Sequence, residues 1–459
     1  MAVATGEAHQ NWSSRRTFVL AMIGLSVGLG NIWRFPYLAS ESGGGVFVLL
    51  YLGCVLMLAI PILMAELAIG RRGGMSPPES FKRVAVAEGK SPNWSIAGII
   101  ALITAFLILS YYAVIGGWTL DFILLGASGA FGDGHIEHTD ALFTGLLSDP
   151  WSLIMWKTIF FVVIALIVGR GVQGGIEKAA KYLMPLLFIL LVAVAIFALI
   201  AGDAAGGLAF LFAPDFSEVT WSVFLDALGQ AFFSVTVGAG AAMVYGAYVP
   251  KQVSIPRTAT VIALADTAVA LIAGIAIFPF VLAFDLTPTE SAGLVFVTLP
   301  AAFANLGNAA VVAVPFFVLL AVAAITTCVG LLEVLVSWGE ERGWSRPKTA
   351  AGAAFVCWLI GLLTVFSFNI ASGFNPLSFL PGFETATMFD IFDRVTATIG
   401  LPIGGLLIAI FAGHVMSARS IADELGWSTD SGLFKAWRFM MRWPAPIIIA
   451  LVLLVGVSE

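Results

Sequence analysis

Eleven apolar runs of about 20 residues or more, bounded by charges or turn residues, follow one another along the chain. They lie near 15–38, 44–69, 95–126, 150–169, 176–200, 220–249, 254–284, 315–339, 347–367, 390–418 and 436–457. A helix of about 20 residues crosses the hydrocarbon of a bilayer, so the pattern predicts an all-α polytopic membrane protein. Two runs carry polar and flexible residues at their centres. The first contains GLSVGLGNIWRFP, which puts Gly24, Gly28, Gly30, Asn31 and Arg34 at membrane depth. An arginine there costs roughly 2.5 to 3.5 kcal/mol on insertion scales and is accepted where it faces protein or a wet cavity. Irregular backbone at that depth is tolerated under the same condition. The sixth run has Gln230, Ser234, Thr236, Gly238 and Gly240 at its centre.

Spans 1 and 6 correspond if the chain is two five-helix halves, and an odd number of helices per half makes the halves inverted in topology. The expected organisation is a cytoplasmic N-terminus (1–14), a first repeat (15–200), an extracellular loop (201–219), a second repeat (220–418), and a cytoplasmic loop with an eleventh span (419–459). Paired broken segments in two halves point to a substrate site near the midplane of a secondary transporter. Close helix packing also uses small residues, as in Gly24-xxx-Gly28. Asn31, Arg34 and Gln230 in the same two spans favour the site.

Composition agrees: 60% of residues are hydrophobic and 11% charged, with a mean hydropathy of +1.00, which leaves no room for a soluble domain. The first helix, beginning near Ser14, is too long and polar for a signal peptide and lacks a small-residue cleavage site, so it is expected to remain. With the N-terminus inside, every Lys and Arg except Arg34, Lys157 and Arg394 falls on the cytoplasmic side, while loops 127–149, 201–219 and 285–314 contain none. This positive-inside pattern predicts the N-terminus inside and the C-terminus outside, and the plasma (prokaryotic inner) membrane is the expected location. Lys157 is expected to snorkel outward from the fourth span. Cys54, Cys328 and Cys357 lie in apolar runs and read as packing residues. His9, His135, His138 and His414 form no nucleophile–base arrangement, so no enzyme is expected, and no nucleic-acid partner is expected.

The motifs GLSVGLGNIWRFPY (Gly24 to Tyr37), ESGGGVF (Glu41 to Phe47), Tyr111-Tyr112, GQAFFSVTVGAG in span 6 and ITTC (Ile325 to Cys328) occur in order along nearly the whole chain. In these the chain resembles the neurotransmitter:sodium symporter family, whose fold is that of the bacterial leucine transporter, in a shorter eleven-helix form. The resemblance implies a 5+5 inverted repeat with broken helices 1 and 6, plus one helix. It also implies a substrate carboxylate on the amides of Leu29 and Gly30 with the Tyr112 hydroxyl, as suits a helix N-terminus. Carbonyls of Phe233 and Ser234, with Ser26 and Thr327, would take the ammonium. Monoamine carriers of the family have Asp where this chain has Gly24, so a substrate bringing its own carboxylate is expected.

Two sodium ions are implied. One site would use Ser26, Asn31, Ser234 and Asp266 with the substrate carboxylate. The other would use carbonyls of Gly24, Val27 and Ala323 and the hydroxyls of Thr326 and Thr327. All are hard oxygen ligands, although Thr326 and Thr327 could instead bond back to their own helix. Many relatives have Asn at Asp266, and chloride-dependent ones have Ser at Ala270; the implication is that Asp266 replaces chloride, and it could also exchange a proton for sodium. The implied outer gate is Arg34 and Asp393 with Gln230, and the inner gate Trp12, Tyr248 and Glu341, with His9 where the family has arginine. Gly175 and Pro185 resemble a fifth-span unwinding motif. The side-chain pocket (Leu25, Ile108, Tyr112, Phe233, Thr236, Ala239, Thr327, Leu331) carries no charge, so a neutral hydrophobic or aromatic amino acid is expected, with Ala239 leaving room for a large side chain. An amino-acid sensor of the same fold that binds without transporting is the alternative.

Overall fold

The computed structural model describes residues 12–132, 134–284, 292–307 and 309–458. Among these, nine helices are long and apolar enough to cross a membrane: Gly45–Gly73, Pro92–Ser128, Pro150–Gly169, Val172–Ala201, Ile255–Ala283, Ala310–Glu340, Arg346–Phe366, Met388–Val415 and Gly432–Gly456. The two runs read as broken supply the remaining spans. In the first, Arg15–Ser26 and Gly30–Glu41 meet at 52°, the chain passing through an extended Val27 and resuming as a π-helical Gly30–Arg34. In the sixth, Trp221–Ser234 and Ala241–Ala247 are each too short to cross alone.

Local chemistry starts these helices where the sequence offers caps. The Ser14 hydroxyl accepts the Thr17 amide at 3.2 Å, and the Thr220 hydroxyl accepts the Val223 amide at 3.2 Å, each satisfying an N-terminal donor that has no intrahelical partner. Between the sixth-span halves, Gly238 (φ 98°) and Gly240 (φ 77°) adopt a left-handed backbone closed to most side chains. Thr236 does so too at φ 53°, alone among described non-glycine residues. The tenth span lies directly on this segment: a Cβ on Gly404 would stand 2.2 Å from the Gly238 carbonyl oxygen. Helix-to-backbone packing this close brings Leu401 beside the break.

Shorter helices cap the bundle. Pro77–Ala87 joins the second and third spans. Ile136–Ser148, Ala204–Phe212 and Leu299–Ala304 lie in the basic-free loops at the other end.

Lys157 does not snorkel. Its side chain is fully buried and its amine donates to the Trp358 carbonyl at 2.7 Å. The ninth span breaks at Gly361 into Arg346–Ile360 and Leu362–Phe366. Lys157 sits at the carboxyl end of the first half, where the helix dipole favours a donor cation.

Candidate functional site

The two breaks face each other at the centre of the bundle. Asn31, fully buried, donates from Nδ2 to Ser234 Oγ at 2.9 Å, to Asp266 Oδ1 at 2.9 Å and to the Asp266 carbonyl at 3.0 Å. Its Oδ1 accepts the Gly28 amide at 3.1 Å. Ser234 donates to the other Asp266 oxygen, and Tyr51 Oη stands 3.3 Å from Ser234 Oγ. Three of the four first-site residues are thereby one hydrogen-bonded cluster. The fourth, Ser26, lies in the same cavity with its buried hydroxyl making no described hydrogen bond. A buried hydroxyl without a partner costs about 1 to 3 kcal/mol, which marks it as a group built to meet a ligand.

At the first-span break the Leu29 amide donates to Tyr112 Oη at 2.6 Å. Gly28 permits this approach, because a Cβ there would stand 2.7 Å from Tyr112 Oη and 2.8 Å from Thr327 Oγ1. Residues of the second predicted cation set lie near one another. Thr327 Oγ1 lies 3.5 Å from the Val27 carbonyl, and a Cβ on Gly24 would stand 3.2 Å from Thr326 Cβ. Thr326 donates to the carbonyls of Val322 and Ala323, both at 3.1 Å. The back-bond foreseen for a threonine at that place is therefore present, and one of its acceptors belongs to the predicted cation set.

Two cavities stack along the axis of the site. The inner one, about 20 Å³, is lined by Ser26, Asn31, Ile108, Tyr112, Phe233, Ser234, Thr236, Thr327 and Leu331 of the predicted set. A single water needs about 10 to 15 Å³ on this measure, so the inner cavity as it stands admits water and not an amino acid. Leu401 lines it as well. Leu25 and Ala239 do not: Leu25 packs towards Gly330, and Ala239 is fully buried away from the cavity. The outer cavity, about 210 Å³, is lined by Leu29, Trp33, Arg34, Tyr111, Phe389 and Asp393 among others. Gly30, Tyr112 and Phe233 line both cavities, so these three residues, the Phe233 ring among them, stand between the two.

The predicted outer-gate residues flank the outer cavity without pairing directly. The Arg34 guanidinium stands 4.6 Å from the Phe233 ring centroid, a cation–π contact, while Asp393 accepts the Tyr111 hydroxyl at 2.9 Å. Gln230 donates to the Gly30 carbonyl at 2.8 Å, tying the sixth span to the outer half of the first.

At the opposite end, the Trp12 indole donates to the Tyr245 carbonyl at 3.1 Å, and the Trp12 amide reaches the Tyr248 carbonyl at 3.5 Å. Tyr248 and Glu341, grouped by the sequence, belong to separate contacts. Tyr248 Oη donates to Glu333 at 3.0 Å, and Glu333 pairs with Arg346, which also meets Glu340 at 2.9 Å. Glu341 accepts the amide and hydroxyl of Ser76 at the start of the connecting helix. Burial pushes the Glu341 carboxyl above the ordinary range, opposed by those two donors. His9 lies outside the described residues. The fifth span begins as a π-helical Val172–Glu177 containing Gly175, with Pro185 inside the helix that follows.

A model of the sodium:neurotransmitter symporter family matches residues 9–132 and 143–459. The chain belongs to this family. It is 33% identical over 448 residues to the sodium-dependent transporter YhdH of Bacillus subtilis, covering 96% of each chain. It is equally 33% identical to a sodium-dependent transporter of Haemophilus influenzae, covering 96% of this chain and 97% of that one. Its fold superposes on the crystal structure of MhsT in complex with L-phenylalanine with a TM-score of 0.89 at 39% identity, covering 98% of this chain and all of that one. The symporter is thus a sodium-dependent, multi-pass membrane transporter with the leucine-transporter fold.

Sequence reasoning missed several residues of this symporter's site. Glu66 accepts the Gly238 amide at 3.1 Å and braces the unwound sixth span. Glu333 and Arg346 form the buried pair beneath Tyr248. Both acids were detectable as carboxylates inside apolar runs, the same signal that singled out Asp266. Tyr51 and Leu401 carried no such mark.

Proposed function

We propose that this symporter imports a neutral hydrophobic or aromatic amino acid by alternating access, driven by sodium at two sites, without a chloride requirement. The N-terminus would be cytoplasmic, the C-terminus outside, and the membrane the plasma (prokaryotic inner) membrane. The observation that carries the amino-acid reading is the Leu29 amide held against Tyr112 Oη at the first-span break. The tyrosine oxygen accepts that amide, so its own O–H is left to donate to a carboxylate at a helix N-terminus, where one is stabilised. With glycine at position 24, the site's own carboxylate is Asp266, which already engages Asn31 and Ser234, so the ligand must supply the second one. The unpartnered Ser26 hydroxyl is available to the ammonium or to sodium. The complex of MhsT with L-phenylalanine supports a large neutral side chain.

Binding requires the inner cavity to grow. Turning the Phe233 ring aside joins it to the outer cavity and releases Arg34 from its stacking contact, so that substrate entry and the approach of Arg34 to Asp393 become linked steps. The carboxylate of Asp266 balances the charge of sodium at the first site, a role that otherwise needs an added anion.

Thermal unfolding of the purified protein against a panel of amino acids in sodium and in potassium tests this reading. A ligand at 100 times its Kd stabilises by about 2.7 kcal/mol. Phenylalanine, tryptophan, leucine or methionine should raise Tm in sodium and leave it unchanged in potassium. Stabilisation by charged amino acids alone, or equal shifts in both cations, would overturn the assignment.

A further inference from the structure

A groove of about 400 Å³ opens at the Lys- and Arg-rich end of the bundle, apart from the central site. It lies between the connecting helix Pro77–Ala87 and the feet of the third and eighth spans. Glu79 and Lys82 of the connecting helix form one rim, Asn93 and Ser95 the corner, and Ile99, Leu102, Trp338 and Arg342 the far wall. Beside the groove the connecting helix is docked tightly on the third span, for a Cβ on Gly98 would stand 2.3 Å from the Pro77 carbonyl carbon.

One cation of this groove, Arg342, is held without an ion pair, and the other, Lys82, is paired with Glu79 on the same rim. Arg342 lies over the Trp338 ring, 3.6 Å from its centroid, and one guanidinium nitrogen donates to the Trp338 carbonyl at 2.8 Å. No carboxylate lies within ion-pair distance of it among the described residues. Lys82, half exposed, meets Glu79 at 3.3 Å, a solvent-screened pair that a competing phosphate can open. The wall continues into an apolar track: Ile96, Ile99 and Ile103, at helical spacing on the third span, are 57%, 43% and 49% exposed.

We infer that this groove binds the headgroup of one anionic glycerophospholipid, its phosphate on Arg342 and Lys82 and an acyl chain along Ile96, Ile99 and Ile103. Arginine and lysine at the inner membrane surface attract anionic lipid by about 1 kcal/mol each, and a guanidinium fixed by stacking meets phosphate with little ordering cost. A soluble anion would gain nothing from the isoleucine track, whereas a lipid uses both parts. The bound lipid spans the joint between the connecting helix and the eighth span that the Ser76–Glu341 bonds also close. This inference rests on the membrane-spanning fold and not on the identity of the substrate.

Native mass spectrometry of the detergent-solubilised full chain, titrated with phosphatidylglycerol, tests it. One tightly retained lipid is expected, and Lys82→Gln with Arg342→Gln should weaken it about tenfold or more. Both side chains are exposed, so the variant should keep its fold. Lys435→Gln, an exposed lysine on another helix, should leave retention unchanged. Equal weakening by Lys435→Gln would reduce the site to a diffuse basic rim, and undiminished retention in the double variant would remove it. Displacement by an equal concentration of glycerol 3-phosphate would assign a soluble anion instead and overturn the lipid proposal.

Discussion

Asp266 concentrates the chemistry of the central site in one residue. Both of its carboxylate oxygens are engaged, one by Asn31 and one by Ser234, and hydrogen bonds to a charged group are worth roughly 1.5 to 3 kcal/mol each. Ala270, one turn further along the same helix, supplies no hydroxyl with which to hold an anion. Replacing chloride by gluconate should therefore leave wild-type uptake unchanged, whereas Asp266→Asn with Ala270→Ser should yield a carrier whose uptake rises with chloride. Chloride stimulation of the wild type would refute this role. Asp266, Asn31 and Ser234 were legible in the sequence because each is a polar residue at a depth where polarity is costly. Leu401 was not, since a leucine in an apolar run gives no sign of which face it presents. Lys157 was misread for a related reason: the carbonyl that draws it inward becomes available only where the ninth span breaks, at Gly361, roughly 200 residues later in the chain.

Among the elements, the two broken helices divide the work. The break in the first span exposes amides, and the break in the sixth brings a left-handed Thr236 to the cavity wall, a conformation that costs of order 1 to 3 kcal/mol and persists only when the surroundings impose it. Glu66 and the tenth span impose it here, through the Gly238 amide and the Gly404 contact. The positions of the breaks were evident from glycine and polar residues inside otherwise apolar runs. The braces were not, because they come from spans whose own periodicity is unremarkable apart from one acid.

The inner end is closed by Trp12 plugging against Tyr245 and by Tyr248 bonded to the Glu333–Arg346 pair. Removing the Tyr248 hydroxyl in Tyr248→Phe deletes a hydrogen bond to a charged group, so the inward-open population should rise by about tenfold or more. Hydrogen–deuterium exchange across Arg15–Ser26, the inner half of the first span, should accelerate accordingly. Unaltered exchange there would show that the tyrosine packs the end without latching it.

For the whole molecule, the geometry is that of a carrier with a thick barrier at one end and a thinner one at the other. Outside the central site stands a cavity of about 210 Å³ separated from it by the Phe233 ring. On the inner side, aromatic stacking and a buried ion pair intervene. A pore would need a continuous polar path, whereas the polar groups of the central site are separated from the Arg34 and Asp393 level and from the Glu333–Arg346 pair by aromatic side chains. The architecture of broken spans in two halves was read from the sequence and agrees with the fold of MhsT. In the proposed mechanism, sodium at the second site drives substrate movement. Uptake of a radiolabelled amino acid identified by the thermal screen, measured in sealed proteoliposomes under an inward sodium gradient, tests it most directly. The wild type should accumulate the amino acid, and accumulation should vanish when potassium replaces sodium and when Thr326→Ala is combined with Thr327→Ala. Undiminished uptake in that double variant, or in sodium-free medium, would contradict it, and sodium-dependent binding without any uptake would identify a sensor rather than a transporter.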